Sequence, residues 1–232
     1  VAGLVSGCGT VASALSERGL DFYSTPFEAI EALMEQESLP NIIYEPCCGN
    51  GAIVLPLREA GHTVIASDLV DRGCPDSKAD IDFLETSEAP SGIDAIVSNP
   101  PFAKAEQFIY HALYNLRIPK VYMLLRLAFL EGGNLNSYKG KCRRAVLDNG
   151  HLAKVLLFRK RLPMIHRENW DGKRNSNSGM PFAWFKFDLS HEGPCQLERI
   201  AWKPAKTRIK LDFRLAPAPI EQYISSQKDA QN

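Results

Sequence analysis

Four consecutive residues, Asn99, Pro100, Pro101 and Phe102, place two hydrogen-bond acceptors and an aromatic ring on a stiffened backbone that lacks two N–H donors. An amino nitrogen conjugated to a ring or a carbonyl is a poor nucleophile, because its lone pair is delocalised. If the Asn99 side-chain oxygen and the Pro100 carbonyl each accept one of its hydrogens, the nitrogen can turn pyramidal and attack an electrophilic carbon in line. That is catalysis by positioning and preorganisation, with no covalent enzyme intermediate. Phe102 would stack on the planar target. The competing use of such a segment is a rigid strand-to-helix turn carrying a packed phenylalanine.

A second segment, Glu45-Pro46-Cys47-Cys48-Gly49-Asn50-Gly51, has glycines where backbone must lie close to a ligand. Dinucleotide loops require a third glycine where the helix packs on the strand, and Val54 stands there instead. Glu45 would repel a pyrophosphate but suits a ligand with an ammonium group. Asp68, followed by Leu69, ends the next apolar run and could accept two ribose hydroxyls. Asp82 and Phe83 then offer an acceptor for an adenine amine and an apolar wall for its ring. A cofactor with an ammonium, a ribose and an adenine but no phosphate is S-adenosyl-L-methionine. On this reading Glu45, Pro46, Cys48, Gly49, Gly51, Asp68, Leu69, Asp82, Phe83 and Asn99 line its site, and no metal is expected.

These groups share one edge only if the intervening chain alternates strand and helix. Pro26 to Gln36 reads as an amphipathic helix that Thr25 could cap. Ile42 to Glu45 reads as a short strand, Ala52 to Ala60 as a helix, and Thr63 to Asp68 as a strand. Ala79 to Leu84 is a weaker strand and Ile93 to Ser98 a strongly apolar one. Ala105 to Leu116 is helical and Val121 to Leu130 a long strand. A basic helix from Ser137 to Leu147 and a strand from Lys154 to Phe158 follow. Three β-like runs come last, Phe182 to Phe187, Arg199 to Lys203 and Ile209 to Phe213, without helices between them. The pattern predicts an α/β, Rossmann-like, doubly wound and mostly parallel sheet with an antiparallel C-terminal end. Pro163 to Met180 is a long polar loop.

The 232 residues suit one domain. The expected organisation is an N-terminal extension over 1–20, a catalytic domain over 21–224 with a basic helix and loop insertion at about 134–181, and a frayed tail over 225–232. Lysine plus arginine equals aspartate plus glutamate at 27 each, so any affinity for a polyanion must be local. Such a concentration runs through Lys139, Lys141, Arg143, Arg144, Lys154, Arg159, Lys160, Arg161, Arg167, Lys173 and Arg174. An ordinary solvated face is the plainer reading of it, and its place beside the polar loop favours a nucleic-acid groove. No run of 18 apolar residues is present, so no membrane partner is expected. The six cysteines form no CxxC pair or zinc set and read as reduced thiols of a cytoplasmic protein. Val5-Ser6-Gly7-Cys8 looks like a lipidation site but lacks the basic and apolar leader that one needs.

From about Asp21 to about Lys203 the chain resembles the class I S-adenosylmethionine methyltransferases, and within them the amino methyltransferases acting on adenine N6. Phe22 to Pro26 looks like the family's N-terminal cofactor segment, Glu45 to Gly51 like its glycine loop, and Asn99 to Phe102 like its catalytic tetrad. Their order is similar to that of gamma-type enzymes, and Ala183-Trp184-Phe185 looks like a strand of the phage and prophage members. The pair Cys47-Cys48 before the first glycine departs from the usual loop, in a way that the position tolerates. The resemblance implies that Tyr23 and Thr25 meet the methionine end of the cofactor, Glu45 its amino group, Asp68 the ribose, and Asp82 with Phe83 the adenine. It implies DNA adenine as the substrate. An RNA base, a protein glutamine, or a catalytically silent cofactor-binding protein are the alternatives.

Overall fold

The structure is a computed structural model, which describes residues 24–131, 136–163 and 180–202. The elements are α1 (Phe27–Gln36), β1 (Ile42–Glu45), α2 (Val54–Glu59), β2 (Thr63–Ser67), β3 (Ser77–Lys78), β4 (Ala95–Ser98), α3 (Ala105–Tyr110), β5 (Lys120–Arg126), α4 (Tyr138–Leu147), β6 (Leu152–Phe158), β7 (Phe182–Asp188) and β8 (Gln196–Ile200). The eight strands form one sheet in the order β3-β2-β1-β4-β5-β7-β6-β8. The pairs from β3 to β5 are parallel; β7 runs antiparallel to both β5 and β6, and β8 is parallel to β6. The expected α/β sheet with an antiparallel end is therefore present, with a single reversed strand, β7, wedged between β5 and β6.

Alternation along the central strands separates two cores. Ala95 and Val97 of β4 and Tyr122 and Leu124 of β5 join a cluster with Ile30 and Leu33 of α1 and Val54 and Leu57 of α2. Ile96, Val121, Met123 and Leu125 face the other way, into a cluster with Phe108 and Ile109 of α3, Leu113 of the turn that follows it, and Val146 of α4. Period-two burial on strands buried on both faces is what a helix-covered parallel sheet requires. Trp184, fully buried on β7, fills the first core and donates its indole N–H to the Ala29 carbonyl at 2.8 Å, tying the reversed strand to α1.

Several expected boundaries shift for identifiable reasons. No strand runs from Ala79 to Leu84: Asp80 has a left-handed backbone (φ 58°), the Asp82 carboxylate accepts Leu84 N–H at 3.0 Å, and Phe83–Glu85 closes a 3₁₀ turn. The strand of that region is the short β3, two residues earlier. Val121 to Leu130 is not one strand either, because Leu127–Leu130 turns into a 3₁₀ segment after β5 ends. The last described strand is Gln196–Ile200, earlier than Arg199 to Lys203. Thr25 does not cap α1, whose N-terminus has no side-chain cap. Within the expected insertion, Tyr138–Leu147 and Leu152–Phe158 form α4 and β6 and are integral to the packing. The run Ile209 to Phe213, the extension 1–20, the tail 225–232 and most of the Pro163 to Met180 loop lie outside the described residues.

Truncating Trp184 to Ala leaves a cavity and removes the indole bond to α1, and is expected to lower unfolding free energy by about 3–5 kcal/mol. Denaturant titration of the two proteins measures it; a loss below about 1 kcal/mol would mean that β7 is not fastened through this ring.

Candidate active site

The chain winds outward from β1 to β2 and β3, then returns across β1 to β4 and β5, so the strand order reverses between β1 and β4. Crevices beyond the carboxyl ends of strands at such a point are where α/β sheets bind ligands. A cavity of about 290 Å³ lies there. Its wall includes Thr25, Pro46, Cys48, Gly49, Asp68, Leu69, Asp82, Phe83, Asn99 and Pro101, ten of the residues expected from the sequence. Tyr23 lies outside the described residues.

Local geometry explains how the loop after β1 is held open. Cys48 N–H bonds the Ser67 carbonyl at 3.0 Å, and Gly49 N–H bonds the Asp68 carboxylate at 2.8 Å. The other Asp68 oxygen accepts Val70 N–H at 3.1 Å. Gly51 has φ +84°, and a Cβ there would meet the Cys74 sulfur at 3.3 Å. This glycine is needed for both its conformation and its lack of a side chain. The neighbouring Cys48 and Cys74 thiols interact, which, with burial, pushes the Cys48 thiol up and, against burial, holds the Cys74 thiol down. Among the described residues, no group of three or more His, Cys, Asp or Glu could hold a metal ion.

Glu45, at the carboxyl end of β1, is wholly buried and does not line the cavity, although its neighbour Pro46 does. One of its oxygens accepts both Cys47 N–H at 2.9 Å and the Ser98 hydroxyl at 2.7 Å. The other, Oε2, is buried with no partner among the described residues. Burial pushes this carboxyl well above the ordinary range, against the lowering effect of the two hydrogen bonds. Ser98 is the partner that sequence reading missed; its position directly before Asn99, at the end of an apolar strand, was the available signal.

The tetrad continues from Ser98. Asn99 donates its side-chain N–H to the Thr25 hydroxyl at 3.0 Å, which leaves the amide oxygen on the other branch as its acceptor. This bond, rather than helix capping, is what engages Thr25. Pro100 is buried, Pro101 lines the cavity, and the Pro101 carbonyl accepts Lys104 N–H at 2.9 Å. Phe102 is not among the cavity-lining residues. Its ring lies under the Arg126 guanidinium, 4.6 Å from the centroid, and 5.6 Å from the Phe182 ring. On the far side of the cavity Phe83 is 1% exposed, with Phe108 at 5.1 Å and His111 edge-on at 5.0 Å. His111 opens a π-helical turn, His111–Asn115, and is wedged by Thr86 at 3.3 Å and Asn115 at 2.9 Å. Burial beneath Phe83 lowers its pKa. Ser24 and Asn50, inside the two segments read as cofactor-binding, also line the cavity, as do Arg72 and Lys104, which were not anticipated.

The basic segment divides. Lys139 and Arg143 pair with the buried Glu106 of α3 at 3.4 and 3.3 Å, and Lys154 pairs with Glu37 and Glu198 at 3.0 Å each. Lys160 packs over the Trp202 ring at 5.1 Å, and Arg159 donates to the Arg199 carbonyl. Lys141, Arg144 and Arg161 are exposed, whereas Arg167, Lys173 and Arg174 lie outside the described residues. Among the described residues no helix is long and apolar enough to cross a membrane.

The elevated Glu45 pKa fixes the sign of a stability effect. A carboxyl that holds its proton more tightly when folded stabilises fully below its unfolded pKa of about 4.3, and that contribution is lost as pH rises towards the folded value. The unfolding free energy of Glu45→Gln, taken relative to the unaltered protein, is expected to rise steadily from about pH 4 to pH 8. Paired urea titrations across that range provide the check; a flat difference would place the carboxyl in an ordinary environment, and a falling one would mean that the fold favours its ionised form.

No family model and no curated protein matches the chain. Solved structures do share its fold. The methyltransferase subunit of a type I restriction-modification system from Streptococcus thermophilus is 15% identical, with a TM-score of 0.53 over 89% of this chain and 53% of that one. A modification subunit of a candidate type I restriction enzyme from Vibrio vulnificus YJ016 is 12% identical, with a TM-score of 0.55 over 89% of this chain and 52% of that one. This chain spans about half the length of either, and the Rossmann-like sheet carrying the cavity is the architecture that they have in common.

Proposed function

We propose that this protein is an S-adenosylmethionine-dependent methyltransferase that modifies the exocyclic N6 of adenine in DNA. The observation that carries the proposal is the juxtaposition, around one cavity at the sheet's reversal point, of Asn99 and Pro101 with the Gly49 loop, Asp68, Asp82 and Phe83. The common fold with two modification subunits is in keeping with it.

The residues fit the cofactor. Glu45 Oε2, buried behind the Pro46 wall and without a partner among the described residues, would accept from an ammonium group that reached past that wall, and the Ser98 and Cys47 bonds hold the carboxyl in place. Asp68 keeps acceptor capacity beyond its two backbone bonds, since each carboxylate oxygen has two lone pairs. Phe83, immobilised by Phe108 and His111, makes a flat apolar wall for an adenine ring. S-adenosylmethionine, when bound, supplies a sulfonium methyl that is electrophilic without further activation.

The work left to the protein is to prepare the nucleophile. Asn99 is clamped by Thr25 through its nitrogen, so its side-chain oxygen is the group that accepts one hydrogen of the target amine. The Pro100 carbonyl is assigned the other; the Pro101 carbonyl already accepts one bond, from Lys104 N–H. With both hydrogens held, the nitrogen lone pair turns out of conjugation, and the proton is lost to solvent after transfer. A flipped base would stack on the Phe102 ring in place of the Arg126 guanidinium that lies over it.

Methyl transfer from labelled cofactor to DNA is the test. Asn99→Ala is expected to lower kcat by about 10²–10³-fold, the loss typical of removing one preorganised hydrogen-bonding group, while the cofactor dissociation constant moves far less. An unchanged kcat would overturn the mechanism. The ammonium assignment makes a separate prediction. Glu45→Gln should weaken cofactor binding by about 10–100-fold, as expected for the loss of a charge-assisted bond. In the unaltered protein, affinity should increase with pH as Glu45 ionises. Isothermal titration calorimetry at several pH values measures both, and equal affinity in the two proteins would remove Glu45 from the site.

A further inference from the structure

We infer that the solvent face of α4 seats an unpaired polynucleotide strand beside the cavity mouth, with Tyr138 stacking on a base and Lys141 and Arg144 holding phosphates. This rests on the nucleic-acid reading above and makes it narrower, since it selects a single strand over a duplex.

The helix is fixed against the catalytic segment. Lys139 Nζ donates to the carbonyl of Ala103 at 2.9 Å, and Ala103 and Lys104 both line the cavity. Lys139 and Arg143 also close on Glu106, whose side chain is completely buried in α3. Two of the four cations on α4 therefore tie the helix to the catalytic segment, Lys139 while staying half exposed and Arg143 largely covered.

What remains outside is ordered. Gly140, Cys142 and Val146 are buried, whereas Tyr138, Lys141 and Arg144 are exposed at a spacing of three residues. Residues three apart are neighbours on a helix surface, each about 4.5 Å further along the axis. Neither Lys141 nor Arg144 has an ion-pair partner among the described residues, so their charges face solvent. Tyr138, at 70% exposure, is the most exposed large hydrophobic side chain among the described residues. An isolated exposed apolar residue needs no explanation. An aromatic ring in line with two unneutralised cations, one residue from the lysine that touches the cavity wall, is the combination that binds single strands: cations follow the phosphates while rings take the bases. A duplex covers its base faces and would leave the ring unused.

The probes are a labelled single-stranded DNA oligonucleotide, an RNA of the same sequence, and the matching duplex DNA, bound to the full chain over a range of salt concentrations. Expected are tighter binding to a single strand than to the duplex, and a loss of about 5–150-fold in Tyr138→Ala, the range that base–aromatic stacking supplies. Tyr138→Phe keeps the affinity, and joint replacement of Lys141 and Arg144 by Ala flattens the logarithmic salt dependence by about 1.4. Tighter binding of the DNA or of the RNA strand names the source. Tighter binding to duplex than to either strand, or an unchanged affinity in Tyr138→Ala, overturns the inference. Because binding is read without methyl transfer, the two failures separate. A protein that methylates DNA but prefers duplex keeps the proposed function and loses this surface. One that grips the strand through Tyr138 but methylates no nucleic acid does the reverse.

Discussion

One buried oxygen joins the two halves of the site. Glu45 Oε1 accepts the backbone N–H of Cys47 and the hydroxyl of Ser98, so the same atom fixes the start of the glycine loop after β1 and the last residue before the tetrad after β4. These strands are hydrogen-bonded neighbours in the sheet, and the clasp holds their carboxyl ends at a common height. A carboxyl enclosed in this way carries a desolvation cost, visible in its raised pKa. The arrangement makes sense where the second oxygen has a cation to meet, because an opposite charge reverses the penalty of burial.

The remaining contacts extend this clasp outwards. Thr25 brings the segment before α1 onto Asn99, Asp68 holds the loop from β2, and Tyr44 reaches the Ser67 hydroxyl at 2.7 Å beneath it. Four parts of the chain that are distant in sequence thus converge through short polar side chains, on a sheet made rigid by two apolar cores. The ion pairs of buried Glu106 add the helix that borders the mouth.

The fold was legible because its strands are buried on both faces and read as short apolar runs ended by acids, glycine or asparagine. Asp68 and Asn99 were found for the same reason: each follows the serine that closes such a run, whereas Asp82 was found beside Phe83 although no strand runs there. What sequence could not disclose is how groups are shared. Thr25 had the position of a helix cap, and the structure engages it with a residue 74 positions away. Lys139, Arg143 and Lys154 counted as surface cations until Glu106 and Glu37 were found against them. The insertion of β7 between β5 and β6 is a long-range choice with no local signature, and Asp80 in a left-handed conformation defeated the strand expected around it. Phe102 was read as an open stacking platform, whereas Arg126 lies over its ring.

The most direct measurement of the central claim is the chemical identity of the product. The protein is incubated with methyl-labelled S-adenosylmethionine and unmethylated DNA, the DNA is digested to nucleosides, and the labelled nucleoside is identified by mass spectrometry. The account predicts label in N6-methyldeoxyadenosine. Label on a different atom or nucleoside, or its absence from DNA when protein or RNA in the same mixture takes it up, would contradict the account.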